Sequence, residues 1–153
     1  MITDKLSMFG EGLSVITAGT VAAGYAAGDV MDIRDVRDIG NMNMLYFVAS
    51  VTEDLVSATN GASIQVALIS DAQNPPNPAT ATVHFVSGEV AEAAAVAGKR
   101  ICAVALPMED PAYERYVGIK LIVGGEVFTG GTIDAFLTPT VQNNRHYPEY
   151  DGV

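Results

Sequence analysis

Every second residue from Val117 to Val123 is a branched aliphatic: Val117, Ile119, Leu121 and Val123, with Tyr116, Gly118 and Lys120 on the other side. In an extended strand that period gathers the apolar groups on one face, whereas a helix would scatter them around its axis. The habit recurs in ASIQVALIS (62–70), with Ile64, Val66 and Leu68 in phase, and in TIDAFLT (132–138), with Ile133, Ala135 and Leu137 in phase. Segments of this kind specify strands with one face against a core.

The rest of the chain follows the same rule. MLYFVASVTE (44–53), ATVHFV (81–86) and KRICAVALP (99–107) read as strands, and LSVIT (13–17) and DVMDI (29–33) as shorter ones on either side of the small-residue stretch AGTVAAGYAAG (18–28). Asn60-Gly61 accepts positive φ in a turn, so 44–53 and 62–70 are expected to form a hairpin. The glycine-bounded GGEVFTGG (124–131) is expected to be a second hairpin loop. DAQNPPNPAT (71–80) has three prolines within four residues and must be a surface loop, since proline cannot sit inside a sheet. SGEVAEAAAVAG (87–98) is the one expected short helix or turn of helix, about ten residues, stopped by Gly98. About eight strands, little helix and irregular loops define an all-β, jelly-roll-like β-sandwich over residues 13–138. Residues 1–12 and 139–153 lack sustained alternation and are expected to be an N-terminal arm and a C-terminal tail.

Composition narrows the partners. Eight basic against eighteen acidic residues give a formal charge of −10, which repels phosphate backbones and anionic membrane surfaces. Neither nucleic acid nor membrane is an expected partner; a positively charged protein surface is. No apolar run is long enough to span a bilayer as a helix, and the start MITDKLSMFG lacks the basic-then-apolar order of an export signal. A single cysteine, Cys102, forms no internal disulfide, so stability must come from packing and assembly. A mean hydropathy of +0.26 with only 17% charged residues suggests surface that something covers.

Reactive side chains are sparse. His84 and His146 stand far apart with no HxH, HExxH or CxxC, a poor supply for a metal. Cys102 has apolar neighbours, where a thiol behaves as a small hydrophobe. Asp29, Asp32, Asp35 and Asp38 recur every three residues with Arg34 and Arg37 between them. That run lacks the DxDxDG order of a calcium loop and reads as salt bridges at a strand end or an interface. Glu109, Asp110 and Glu114 read as loop acids rather than a glycosidase pair. The glycines of 124–131 form neither GxGxxG nor a P-loop, and no GxSxG elbow is present. No catalytic residue, metal or cofactor is expected. Phe9, Tyr147 and Tyr150 put aromatic groups into the terminal segments, which either dock on a neighbour or fold back over their own domain. With Arg34, Arg37 and Arg145 they are the candidate interface residues.

The order of several motifs carries a resemblance. DKLSMF near the start, RDIG (37–40), LYFVASV, the proline-rich loop, AGKRICAVALP leading into ERYVGIKLIVGG, and TGGTIDAFLT before a polar tail together resemble the jelly-roll capsid cement, or decoration, proteins of short-tailed bacteriophages. The resemblance covers about residues 2–147. It implies a β-sandwich protomer, paired into dimers, that sits on the capsid exterior of the virion after synthesis in the host cytoplasm. There it would clamp neighbouring copies of the major capsid protein, with no catalytic residues to carry over. The alternative is a glycan- or receptor-binding jelly roll, which the absence of Trp disfavours. An enzyme on a cupin-like fold would need metal ligands that the two histidines do not supply.

Overall fold

The structure is a computed structural model that describes residues 7–16, 24–33, 45–107 and 111–141. Nine strands account for most of them: β1 (Met8–Ser14), β2 (Tyr25–Asp32), β3 (Tyr46–Ser57), β4 (Ser63–Asp71), β5 (Thr82–Val86), β6 (Val90–Ala91), β7 (Arg100–Ala105), β8 (Tyr116–Gly124) and β9 (Phe128–Thr138). They form two antiparallel sheets. One has the order β1-β9-β3-β7; the other has β2-β8-β4-β5, with β6 also against β4.

Strands β5 and β6 run along one edge of β4, opposite 67–70 and 63–64 respectively. Ser87 bridges the break: its N–H donates to the Val66 carbonyl, and its hydroxyl accepts the Val66 N–H at 2.9 Å. With β5 and β6 taken as one interrupted strand, the chain is a long hairpin rolled up on itself. Its arms pair β1 with β9, β2 with β8, β3 with β7 and β4 with β5. Rolling adds the β9–β3 and β8–β4 pairings. This is the eight-stranded jelly roll, and β4 to β5 is its one connection that stays within a sheet.

The aliphatic stripes face inward as the alternation requires. Ile64, Val66, Leu68, Val117, Ile119, Leu121 and Val123 from one sheet meet Phe47, Ala49, Val51, Ile133, Ala135 and Leu137 from the other. Each large side chain buried this way contributes about 1.5–3 kcal/mol relative to exposure. Phe47 sits at the middle, edge-on to Phe9 on one side at 6.0 Å and to Phe85 on the other at 6.2 Å.

Four local expectations give way. Residues 44–53 and 62–70 are not a hairpin: β3 and β4 lie in different sheets, each already paired on both edges, and the turn at Asn60 (φ 60°) carries the chain across the sandwich. The same holds for β8 and β9, where 125–127 cross between sheets and Phe128–Gly131 already belong to β9. A turn signal shows that the chain reverses, not which sheet it re-enters.

Of the short helix or turn of helix expected at 87–98 only one 3-10 turn forms, Glu92–Ala94, with β6 ahead of it. Its backbone is claimed by strands on both sides. Glu92 N–H donates to the Ala62 carbonyl, the Ala95 carbonyl accepts Leu55 N–H, and Gly98 N–H donates to the Val51 carbonyl. These long-range bonds outweigh the modest helix preference of alanine.

Strand β1 starts at Met8, so residues 8–12, read from sequence as part of an arm, lie in the sandwich. There Gly28 of β2, at φ +72°, lets two sheet edges touch: a Cβ on it would lie 2.0 Å from the Phe9 carbonyl oxygen.

The proline loop is a surface loop, as expected, but it also folds back on its sheet. Asp71 accepts the amides of Gln73 (3.1 Å) and Asn77 (3.0 Å), which holds its carboxyl below the usual range, with Asn77 the larger cause. Pro76 is buried over Gly118, where a Cβ would meet its ring at 3.4 Å, and Lys120 Nζ donates to the Pro78 carbonyl at 2.9 Å.

Candidate functional site

Two polar clusters collect the chemistry-bearing side chains. The first is built on a bulge in β5. Phe85 lies opposite Leu68 and Val83 opposite Ile69, so His84 is the extra residue. Bulges re-aim a side chain, and His84 turns onto Ser70, Nε2 to Oγ 2.7 Å, while its ring stacks on Tyr113 with centroids 3.9 Å apart. Glu114 N–H donates to the same Ser70 oxygen at 3.0 Å, and Glu114 Oε1 accepts the Thr82 hydroxyl at 2.7 Å.

The protons can be placed by elimination. The Pro111 carbonyl can only accept, so in the neutral ring the other nitrogen carries the proton, and Nε2 is left to accept the Ser70 hydroxyl, whose oxygen also takes Glu114 N–H. Burial lowers the His84 pKa, against the nearby Glu114 carboxylate and the Pro111 bond, which raise it. This neutral tautomer joins β4, β5 and the segment leading into β8.

Ser70 and His84 have the atoms of a nucleophile and a base, but Ser70 is 0% exposed, so no substrate carbonyl reaches its oxygen. Tyr113 Oη is buried with no hydrogen-bond partner, and burial pushes its pKa up to about 12.

The second cluster closes the opposite end of β4. Glu92, 6% exposed, accepts Ser57 N–H at 2.7 Å, the Ser57 hydroxyl, and Ala62 N–H at 3.3 Å. Glu126 accepts Thr59 N–H at 3.0 Å and lies 3.2 Å from Ser57 Oγ. Hydrogen bonds hold both carboxyls below the usual range, chiefly from the Ser57 hydroxyl for Glu92 and the Thr59 side chain for Glu126. The two acids thus fasten the β3–β4 crossing, the 3-10 turn and the β8–β9 crossing to one another.

Sequence-derived candidates fall in several places. Phe9 is at 0% exposure inside the core rather than on a surface that a partner meets. Arg34, Arg37, Arg145, Tyr147 and Tyr150 lie outside the described residues, as do Asp35, Asp38, Glu109, Asp110 and His146. Asp32 belongs to a strand-end pair: it takes Arg115 Nε and Nη2, both at 3.0 Å, and the guanidinium also lies 4.8 Å above the Tyr116 ring. Cys102 is half-buried, and burial raises its thiol pKa to about 11, far from the thiolate a nucleophile needs. Among the described residues no three His, Cys, Asp or Glu side chains are close enough to hold a metal ion.

With the fold and its polar clusters placed, similarity to known proteins can be set on them. The family model of Bbp16 matches residues 15–137, from just after β1 to near the end of β9. The chain belongs to the Bbp16 family. That family is of bacteriophage type, and its match spans both sheets and both clusters. No curated protein matches the sequence. Sequence reasoning passed over Ser57, Ser70 and Glu92, which stand among strand or alanine-rich residues with no motif to mark them.

Proposed function

We propose that this Bbp16-family protein is a structural component of the virion: a capsid cement, or decoration, protein that binds the outside of the phage head and clamps neighbouring major capsid protein subunits. It acts as a homodimer without turnover, needs no cofactor, and stabilises the shell against internal pressure.

The observation that carries the reading is the Bbp16 match over 15–137, laid on a jelly roll whose polar side chains serve its own connections. A fold that uses its hydrogen-bonding groups to fasten loops offers a rigid body and outer faces for docking. The charge of −10 favours a partner surface of the opposite sign.

The test is decoration. Purified protein at micromolar concentration is added to phage heads that lack it, and bound protein is counted by quantitative mass spectrometry. Saturation near one copy per major capsid protein, with heads that resist heating better, supports cementing. A few copies per particle would favour receptor or glycan binding at a vertex or tail, and no binding would overturn the reading.

A further inference from the structure

Among the described residues, large apolar side chains are strongly exposed at Ile16, Val56, Val83, Val86 and Val96. Two of them flank one glycine. Val56 of β3 pairs with Gly130 of β9, so both point to the same side. On the other edge of β9, Ser14 pairs with Thr132 and Val15 N–H bonds the Gly131 carbonyl, which brings Ile16 beside Gly130. Val15 and Leu55 face the core, and a Cβ on Gly131 would meet the Leu55 side chain there, so Ile16, Gly130 and Val56 form a row on the outer face. Val96, 49% exposed, stands one strand further on, in the segment whose Ala95 carbonyl takes Leu55 N–H.

Gly130 has no conformational reason to be glycine, because its φ is not in the left-handed region, and a Cβ there would meet nothing within 4 Å. It leaves an empty notch between two exposed aliphatic side chains. The surrounding charge has one sign: β1, β9 and β3 carry Glu11, Asp134, Glu53 and Asp54 and no Lys or Arg. On the Val96 side, Lys99 and Arg100 follow three and four residues on.

We propose that this glycine-floored notch on the outer face of β1-β9-β3 seats an apolar side chain from a head protein whose flanking residues are Lys or Arg. The proposal rests on the head-binding reading and names the surface and the partner chemistry for it. The aliphatic walls desolvate the inserted group, and the acidic strands select basic neighbours and speed encounter.

The test compares Gly130→Val with Gly88→Val in the decoration assay on heads lacking the protein. Gly88 shares the open setting, since a Cβ there would also meet no atom within 4 Å and its φ is not left-handed, so the control adds the same side chain at a distant site. Both variants should keep the wild-type melting temperature. Gly130→Val should bind at least about tenfold more weakly while Gly88→Val binds as wild type, and wild-type binding should weaken with added salt and in Glu53→Lys. Equal binding by folded Gly130→Val overturns the notch alone, and salt-insensitive binding overturns the basic partner. If self-association is what Gly130→Val abolishes, the occupant is a second copy and the proposal falls. Failure of wild type to bind heads at all removes the head-binding reading and this partner with it.

Discussion

A Cβ on Gly125 would stand 2.1 Å from the carbonyl oxygen of Gly61, so the two crossings at this end of the sandwich, β3 to β4 and β8 to β9, pack backbone against backbone. Gly125 also sits at φ +72°. Any side chain there is penalised twice, in backbone strain and in overlap with an atom that cannot move without displacing the turn. Gly125→Ala is expected to cost about 2–4 kcal/mol, read as a lower urea midpoint with an unchanged slope. Gly88→Ala, in open space, is the control and should fall within about 0.5 kcal/mol of wild type.

Phe9 is the second point of leverage. It is fully buried and lies edge-on to Phe47, so Phe9→Ala should lose about 3–5 kcal/mol in dilute monomeric protein. An interface role would instead leave the isolated protomer as stable as wild type and weaken only its assembly. Equilibrium unfolding at low concentration separates these outcomes.

How far these features were legible depends on the range over which they are encoded. The stripes Val117–Val123 and Ile133–Leu137 reveal their inner faces because alternation is local to a strand. Ile69 is buried too, on the other face of β4, and nothing near it announces this; on that face the proline loop folds back over neighbouring β8. The cluster joins Glu92 to Ser57, Ala62 and Glu126, so that three connections meet, up to 69 residues apart, and each residue alone reads as an ordinary loop or helix residue. His84 was visible as a residue, but its role comes from a bulge and from Ser70 and Tyr113, neither of which a spacing rule relates to it.

Glu92→Ala would strand the Ser57 and Ala62 amides beneath a buried surface and leave the Ser57 hydroxyl only its longer contact with Glu126. The expected loss is about 3 kcal/mol, with Glu92→Gln milder because one amide oxygen still accepts. Both carboxyls of the cluster have pKa values below their usual 4.5. Their contribution is therefore complete above about pH 5 and is lost as pH falls through the lower folded values. Melting temperatures from pH 6 to pH 3 should drop in wild type and drop less in Glu92→Gln. Parallel curves would show that other acids govern the acid limb.

His84 titrates in a different window. Its folded pKa lies below 6.5, so between the two values the unfolded chain binds more protons than the folded one. Stability is then complete above about pH 6.5 and declines as pH falls toward the lower folded value. Protonation also removes the lone pair that accepts the Ser70 hydroxyl, so the segment from Pro111 to Glu114 loosens before the strands do. Hydrogen exchange should show this at the Glu114 amide, whose acceptor is Ser70 Oγ. After correction for intrinsic rates, its protection should fall between pH 7.5 and pH 5.5, while that of the β8 amides bonded to β4 stays constant. In His84→Gln the step should vanish, with the Glu114 amide equally protected at both pH values. A step of unchanged size in that variant would assign the titration to a group other than His84.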